Sequence, residues 1–259
     1  MATAQSAESA WQWHVRLPRN DDGRDFCVGD LHGMFPLLEH ALTQLRFDPA
    51  RDRLMSVGDL IDRGPESANV VNFLGRSWVH AVRGNHEQML LDSEGDPALE
   101  ADWTMGCGGD WWLALPEVNR KRCRSAISAL PYALEIETRL GLVGIVHADV
   151  PQDMMWTQFV DRLGIDPDVR EHALWSRTRI GRVRRGEAVP PVPGIDLLVC
   201  GHTPLNAAQQ AGNVHFIDTG AVYAMRFQQA SLTLLEIQPE WRVHSFPANT
   251  PVKRVSATP

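Results

Sequence analysis

The sequence lacks the features that mark several large classes of protein. Its four cysteines, spread over 259 residues, form no CxxC pair and no closely spaced framework, so we expect reduced thiols in a reducing compartment. No run of about 18 apolar residues is present, which leaves no expected membrane span. Residues 1–10 have neither a basic start nor an apolar run, and this argues against a signal peptide. Together these absences predict a cytoplasmic protein.

Positive charge is also scarce. The chain has 25 Lys and Arg against 32 Asp and Glu, for a net charge of −7. Proteins that bind nucleic acid by neutralising its phosphates have an excess of basic residues, so nucleic acid is not an expected partner. No heptad repeat is evident, and the oligomeric state stays open. The 44% apolar content suits one core. We predict a single catalytic domain over residues 1–259, with flexible tails at 1–10 and about 240–259.

Five short apolar runs each end in a polar cluster rich in Gly, Asp and His. The runs are residues 26–28, 54–57, 79–82, 142–146 and 197–200. Each run predicts a short buried strand, and helical spacing of apolar residues follows the first three. Alternating strands and helices indicate an α/β fold. Ligands in such folds bind beyond the carboxyl ends of the strands, so we expect the five clusters to converge on one site.

The remaining segments give weaker expectations. Residues 11–17 alternate apolar and polar and predict an edge strand. Residues 92–124 predict mixed short helices and loops near the site, with a lid as one interpretation, and Trp103, Trp111 and Trp112 within them are interpreted as core packing. Residues 181–194 are rich in Gly, Pro and Arg and predict a loop. Further strands are predicted at 214–217, 221–228 and 232–237.

The polar clusters contain six candidate metal ligands. They are Asp30, His32, Asp59, Asn85, His147 and His202. This mixture of oxygens and imidazole nitrogens suits manganese, iron or zinc better than calcium. Six ligands exceed the number that one tetrahedral zinc needs, whereas two metals that share a carboxylate fit the count. Two metals about 3.5–4 Å apart can bind a phosphate and activate a bridging hydroxide.

Three further residues of the clusters suit a phosphate substrate. Arg63 can bind phosphate oxygens, although a structural salt bridge is the alternative. His86 can protonate a leaving alkoxide, although a metal ligand or a cap is open for it. Asp62 is our candidate for the carboxylate that holds the tautomer of His86, with helix capping as its alternative.

The ordered motifs identify a family resemblance. Gly-Asp-Leu-His-Gly at 29–33, Gly-Asp-Leu-Ile-Asp-Arg-Gly at 58–64 and Gly-Asn-His-Glu at 84–87 are followed by His147 and by Gly-His-Thr at 201–203. This set resembles the phosphoprotein phosphatase family of metallophosphoesterases, in particular its bacterial and lambda-phage-type serine/threonine protein phosphatases. The similarity extends from about residue 26 to residue 221. It implies a calcineurin-like metallophosphoesterase β-sandwich flanked by helices.

The resemblance also implies a role for each matching residue. Asp30 and His32 would bind one metal, Asp59 would bridge both, and Asn85, His147 and His202 would bind the other. His86 would be the general acid, oriented by Asp62. Arg63 would hold the substrate phosphate together with Arg177, although the nearby Arg179 leaves that second assignment open. The expected reaction is attack on phosphorus by hydroxide activated by two metals, with manganese as the usual ion, iron or zinc as alternatives, and a phosphoprotein as substrate.

Two other functions compete with a protein phosphatase. A diadenosine-polyphosphate hydrolase would use the same site, but the strings at 62–64 and 85–87 favour the phosphatase, because the nucleotide hydrolases tend to depart from both. An inactive module that binds phosphoproteins is the less favoured alternative, since every ligand and the candidate acid are intact.

Overall fold

The computed structural model describes residues 12–224 and 229–249, and two β-sheets form the centre of this part of the chain. The strands are β1 (His14–Leu17), β2 (Asp25–Val28), β3 (Arg53–Ser56), β4 (Val79–Ala81), β5 (Ala133–Thr138), β6 (Gly141–Val146), β7 (Leu197–Cys200), β8 (Gln209–Ala211), β9 (Val214–Phe216), β10 (Ser231–Gln238) and β11 (Arg242–Pro247). One sheet has the order β1-β5-β6-β7-β9-β8, and the other has the order β11-β10-β2-β3-β4.

Helices cover the outer faces of both sheets. They are α1 (Phe35–Gln44), α2 (Val70–Leu74), α3 (Asn85–Asp92), α4 (Pro97–Gly106), α5 (Glu117–Ser128), α6 (Trp156–Leu163), α7 (Pro167–Trp175) and α8 (Thr178–Arg184). Short 3₁₀ helices lie at Ser67–Asn69, Asp110–Ala114 and Ala221–Tyr223. None of the helices in the described ranges is long and apolar enough to cross a membrane.

Three apolar clusters hold the layers together. Between the sheets, Met55 of β3 and Leu235 of β10 share a buried cluster with Val199 of β7. The apolar faces of α1 to α5 pack on the second sheet, and those of α6 to α8 pack on the first. Burial of this apolar surface is the main stabilising contribution to the fold. The predicted β-sandwich flanked by helices is confirmed.

The direction of the strands positions the site. In the second sheet β2, β3 and β4 are parallel neighbours, and in the first sheet β6, β7 and β9 are parallel neighbours. Strands that are covered on both faces need a mainly apolar sequence, and β7 (Leu-Leu-Val-Cys) is apolar throughout. Because each parallel set ends at one edge of its sheet, the polar residues that follow these strands come together at one end of the sandwich.

One edge strand is present as predicted, whereas a predicted strand and a predicted loop are partly helical. The edge strand predicted at 11–17 is present as β1, with residue 11 outside the described part. The strand predicted at 221–228 is wrong for 221–223, because Gly220 with φ +70 turns the chain into a 3₁₀ helix; residues 225–228 lie outside the described part. The loop predicted at 181–194 is wrong up to residue 184, because buried Arg179 and Ile180 anchor α8 despite its glycine.

The predicted C-terminal tail also requires a correction. The tail prediction is wrong for residues 242–247, which form β11 and pair with β10 along their whole length. The strand lies at the sheet edge and its side chains are exposed or half-buried, which removes the apolar run by which a buried strand is recognised. The tail predicted at 1–10 and residues 250–259 of the C-terminal tail lie outside the described part of the chain.

Candidate active site

The turns that follow the strands place site residues in a strained backbone conformation. In the described residues, six non-glycine residues have positive φ, and all but Arg46 belong to the clusters. The five are His32 (43°), Asp59 (49°), Asp62 (74°), Arg63 (65°) and His202 (70°). Side chains rarely adopt this left-handed region, and strained residues of this kind concentrate at functional sites. The turns therefore present the side chains at a cost in local stability.

Asp59 lies at the centre of the site. Its Oδ2 is 3.5 Å from His32 Nε2 and its Oδ1 is 3.4 Å from His147 Nε2. Although burial acts to raise it, the surrounding histidines, His147 first, lower the pKa of the Asp59 carboxyl. Asp59 is therefore a carboxylate with one oxygen directed at each half of the site.

Glu87 holds the loop that carries Asp59. Its carboxylate is fully buried and accepts hydrogen bonds from the backbone N–H groups of Asp59, Leu60 and Gly84, each at 2.8 Å. Burial raises the pKa of Glu87 to about 7. Glu87 lies on α3 directly after the candidate acid, and no role was predicted for it from the sequence.

His147, His202 and Asn85 form one half of the site. Asn85 Oδ1 is 2.8 Å from His147 Nε2 and 2.9 Å from His202 Nδ1. His147 Nδ1 lies 2.8 Å from the carbonyl oxygen of Val57, so it carries the proton and Nε2 keeps its lone pair. Burial lowers the pKa of His147 and lowers that of His202 to about 3. Both rings are therefore neutral, which is the form that binds metals.

His32 presents the same arrangement in the other half. Its Nδ1 donates to the carbonyl oxygen of Ile61 at 2.7 Å, which leaves Nε2 as the acceptor. Burial lowers the pKa of His32 to about 3. The Nη1 of Arg63 donates to this Nε2 at 2.5 Å, so a cationic group already faces the lone pair.

These donor atoms fit two divalent metal ions. Two groups, His32 with Asp59 and His86, and Asp59 with His147 and His202, each have their ligand atoms within 4.8 Å of one another. Asp59 belongs to both groups, as a bridging ligand would. Lone-pair atoms that face one another in a buried site are stabilised by a cation.

Asp30 is brought to the same place by a different contact. Both of its carboxylate oxygens lie 3.1 Å from the backbone N–H of His202. Burial, and then the charges of Asp218 and Asp59, raise the pKa of Asp30. Asp218 follows β9 and is buried, and burial raises its pKa to about 7. Three carboxylates in one buried site again favour bound cations.

The structure brings His86 and Asp62 together. His86 Nδ1 is 2.6 Å from Asp62 Oδ2, and His86 Nε2 lies 3.9 Å from Asp59 Oδ2. Asp62 also accepts hydrogen bonds from two indole N–H groups, those of Trp103 at 2.6 Å and Trp111 at 2.8 Å. His86 therefore directs its Nε2 toward the centre while a fully buried carboxylate holds its other nitrogen.

The arginines have unequal surroundings. Arg179 is 1% exposed, and its Nε donates to Asp149 Oδ1 at 2.7 Å. This ion pair holds the side chain in the interior. Arg177 is exposed, and its charge contributes to lowering the pKa of His147 and His202. Of the two residues left open by the sequence, only Arg177 is exposed. Arg63 is also exposed and lies above the ring of Tyr223.

Replacing the two arginines separately is expected to change different properties of the protein. Arg179→Ala leaves Asp149 buried without its partner and should lower the free energy of unfolding by about 3–5 kcal/mol. Arg177→Ala should change that free energy by less than about 0.5 kcal/mol and raise the KM for a phosphorylated substrate about tenfold. Urea denaturation and steady-state kinetics measure the two quantities. A stable Arg179→Ala protein would contradict its structural role.

Four residues of the site were not predicted from the sequence. Asp218 follows the predicted strand at 214–217, so the rule that located the other clusters could have found it. Glu87 lies within the motif at 84–87. Trp103 and Trp111 come from a segment without clear periodicity, and no local signal connects them with Asp62.

The match to a family model agrees with this geometry. Residues 26–210 match the model described as calcineurin-like phosphoesterase, a range that contains all six candidate ligands. The chain belongs to the calcineurin-like phosphoesterase family. It is therefore grouped with enzymes that hydrolyse phosphoesters.

Individual relatives from this family differ in how much of the chain they match. Serine/threonine-protein phosphatase 1 of Salmonella typhimurium is 40% identical over 82% of this chain and 90% of its own length. The symmetrical bis(5'-nucleosyl)-tetraphosphatase of Pseudomonas fluorescens is 47% identical over 26% of this chain and 24% of its own length. A crystal structure provisionally assigned as a diadenosine tetraphosphatase superposes with a TM-score of 0.65, at 24% identity, covering 92% of this chain and 98% of that one. This last likeness shows the fold alone.

Proposed function

We propose that the chain is a metal-dependent serine/threonine protein phosphatase that hydrolyses phosphomonoesters of phosphoproteins. The observation that carries the proposal is the placement of Asp59 between two groups of lone-pair donors, beside the His86–Asp62 pair. The 40% identical relative is named a serine/threonine-protein phosphatase and is matched over 90% of its length, which supports the substrate class.

Two divalent metal ions are part of the proposal. Asp30, His32 and Asp59 would hold one of them, and Asp59, Asn85, His147 and His202 would hold the other. When bound, two such ions neutralise charge on the phosphate and lower the pKa of water. We propose manganese, with iron and zinc as the alternatives that the same oxygen and nitrogen donors accept.

The side chains of the chain supply the remaining steps. Arg63 and Arg177, both exposed, would bind the phosphate oxygens and orient the phosphorus. As the bond between phosphorus and the serine or threonine oxygen breaks, His86 Nε2 would give its proton to that oxygen. Asp62 would accept the hydrogen bond from Nδ1 throughout and so keep the ring directed at the leaving group.

A dinucleotide hydrolase remains the second candidate function. It is favoured by the 47% identical segment shared with the bis(5'-nucleosyl)-tetraphosphatase, but that segment covers only 26% of this chain. An inactive binding module is less consistent with the site, because the candidate ligands and the candidate acid all lie together in it.

A side-by-side assay tests the proposal. A phosphoserine peptide and diadenosine tetraphosphate are each incubated with the protein in Mn²⁺ and after chelation. We expect Mn²⁺-dependent release of phosphate from the peptide and little cleavage of the dinucleotide. Cleavage of the dinucleotide alone would replace the substrate class, and hydrolysis of neither would favour the binding module.

We also propose that the chain acts as one catalytic domain in the cytoplasm. Strands from both ends of the described part, β1 and β11, pair within the two sheets, which supports a single domain. The four cysteines are all free, which is consistent with a reducing compartment.

A further inference from the structure

Asp62 accepts hydrogen bonds from two indole N–H groups in addition to the one from His86. Its Oδ2 accepts from His86 Nδ1 and from Trp103 Nε1, both at 2.6 Å. Its Oδ1 accepts from Trp111 Nε1 at 2.8 Å. An indole N–H can only donate, and Asp62 is fully buried, so both oxygens are fixed as acceptors away from water.

The two indoles fix the direction of the carboxylate. A carboxylate that is bonded through one oxygen can rotate about its own torsions, and its imidazole partner follows the rotation. Donors on both oxygens remove this freedom, because rotation would break a charge-assisted hydrogen bond in a buried site.

We propose that Trp103 and Trp111 are positioning residues that orient Asp62, and that Asp62 in turn keeps His86 directed at the leaving-group oxygen. The proposal rests on the protein phosphatase function proposed above.

The packing of the tryptophans supports this role. Trp103 of α4 is 2% exposed and contacts the ring of Trp111 edge to face, with centroids 6.4 Å apart. A Cβ on Gly109 would lie 2.6 Å from the Trp103 ring, so the glycine permits its position. The segment 97–114, part of the segment for which a lid was one interpretation, is therefore fastened to Asp62 by two hydrogen bonds.

Trp112 provides a matched control within the same cluster. Its ring lies 5.7 Å from that of Trp103 and it is fully buried. Its Nε1 faces Glu100 Oε2 at 3.4 Å and not Asp62. A change from tryptophan to phenylalanine at this position removes the same ring atoms but leaves the donors of Asp62 in place.

The experiment compares two leaving groups. The alkoxide of a phosphoserine peptide needs a proton from the acid, whereas the nitrophenolate of p-nitrophenyl phosphate leaves with little protonation. In Trp103→Phe and in Trp111→Phe we expect kcat for the peptide to fall about tenfold, as partial loss of an acid does. We expect kcat for p-nitrophenyl phosphate to change less than about twofold, and Trp112→Phe to leave the ratio of the two unchanged.

Each outcome decides a different point. Hydrolysis of both substrates by the unaltered protein establishes the reaction, and an equal fall for both substrates in the Trp103 and Trp111 variants then overturns the positioning role alone. The positioning role is also overturned if Trp112→Phe changes the ratio of the two kcat values as much as Trp103→Phe and Trp111→Phe do. Trp103→Phe removes part of a buried ring and could prevent folding. Trp111 is only partly buried, so Trp111→Phe provides the test in that case.

A measurement without activity provides an independent test. The indole N–H signals of Trp103 and Trp111 in a ¹⁵N-correlated spectrum are assigned from their phenylalanine variants. Asp62→Asn should move both signals upfield, because a charged acceptor is lost, and leave the signal of Trp112 in place. Unmoved signals for Trp103 and Trp111 would show that the indoles do not bond Asp62 in solution.

Discussion

Asp59→Asn is expected to lower kcat by about 10³-fold or more and to reduce bound metal from about two ions per chain to one or none. Asp59 directs one carboxylate oxygen at His32 and the other at His147. An asparagine has one oxygen and no charge, so it can serve only one half of the site. Metal content of the purified protein and kcat for a phosphoserine peptide measure the two effects.

Asp25→Asn is the matched control for this change. Asp25 is another fully buried carboxylate, paired with Arg53 Nη2 at 2.7 Å, and it begins β2 at the end of the strand away from the site. Its replacement should lower stability but leave the metal content intact. An active Asp59→Asn protein with its full metal content would rule out the bridging role.

His86→Asn is expected to lower kcat by about 10²–10⁴-fold while the metal content is kept. Asparagine can occupy the position of the ring beside Asp62. Its amide N–H is too weakly acidic to protonate a leaving oxygen. The loss should be smaller for p-nitrophenyl phosphate than for a phosphoserine peptide. Steady-state kinetics with both substrates and metal analysis of the same preparation provide the measurement.

His80→Asn controls for the loss of an imidazole. His80 lies on β4, is half-buried and stands outside the site, so its replacement should leave turnover and metal unchanged. Loss of metal in His86→Asn would make His86 a ligand, a role that the group formed by His32, Asp59 and His86 permits. The same result would remove the general acid from the proposed reaction.

The sequence predicted the parts of the fold that depend on local apolar runs. The buried strands β2, β3, β4, β6 and β7 each overlap one of the five short apolar runs of the sequence, and the ligands that follow them share one edge because parallel strands end together. The candidate ligands and Asp62 could therefore be named before their contacts were known. Asp218 follows β9 in the same way, so the same rule predicts it as a residue of the site.

Other parts depend on contacts that no local pattern reveals. Trp103 and Trp111 reach Asp62 across 41 and 49 residues of chain, and only the folded arrangement shows that their indoles do more than fill the core. Arg177 and Arg179 are two residues apart with the same side chain, and the buried Asp149 separates their roles. The exposed edge strand β11 carries little of the apolar pattern that marks a strand.

The sharing of the site between two sheets has a consequence for the newly made protein. Asn85 follows a strand of one sheet, whereas His147 and His202 follow strands of the other, and the backbone of His202 bonds to Asp30, 172 residues earlier. Contacts so distant in sequence form late in folding. A chain still on the ribosome lacks part of the ligand set until His202 has emerged, so an unfinished copy has no means to act on the phosphoproteins around it.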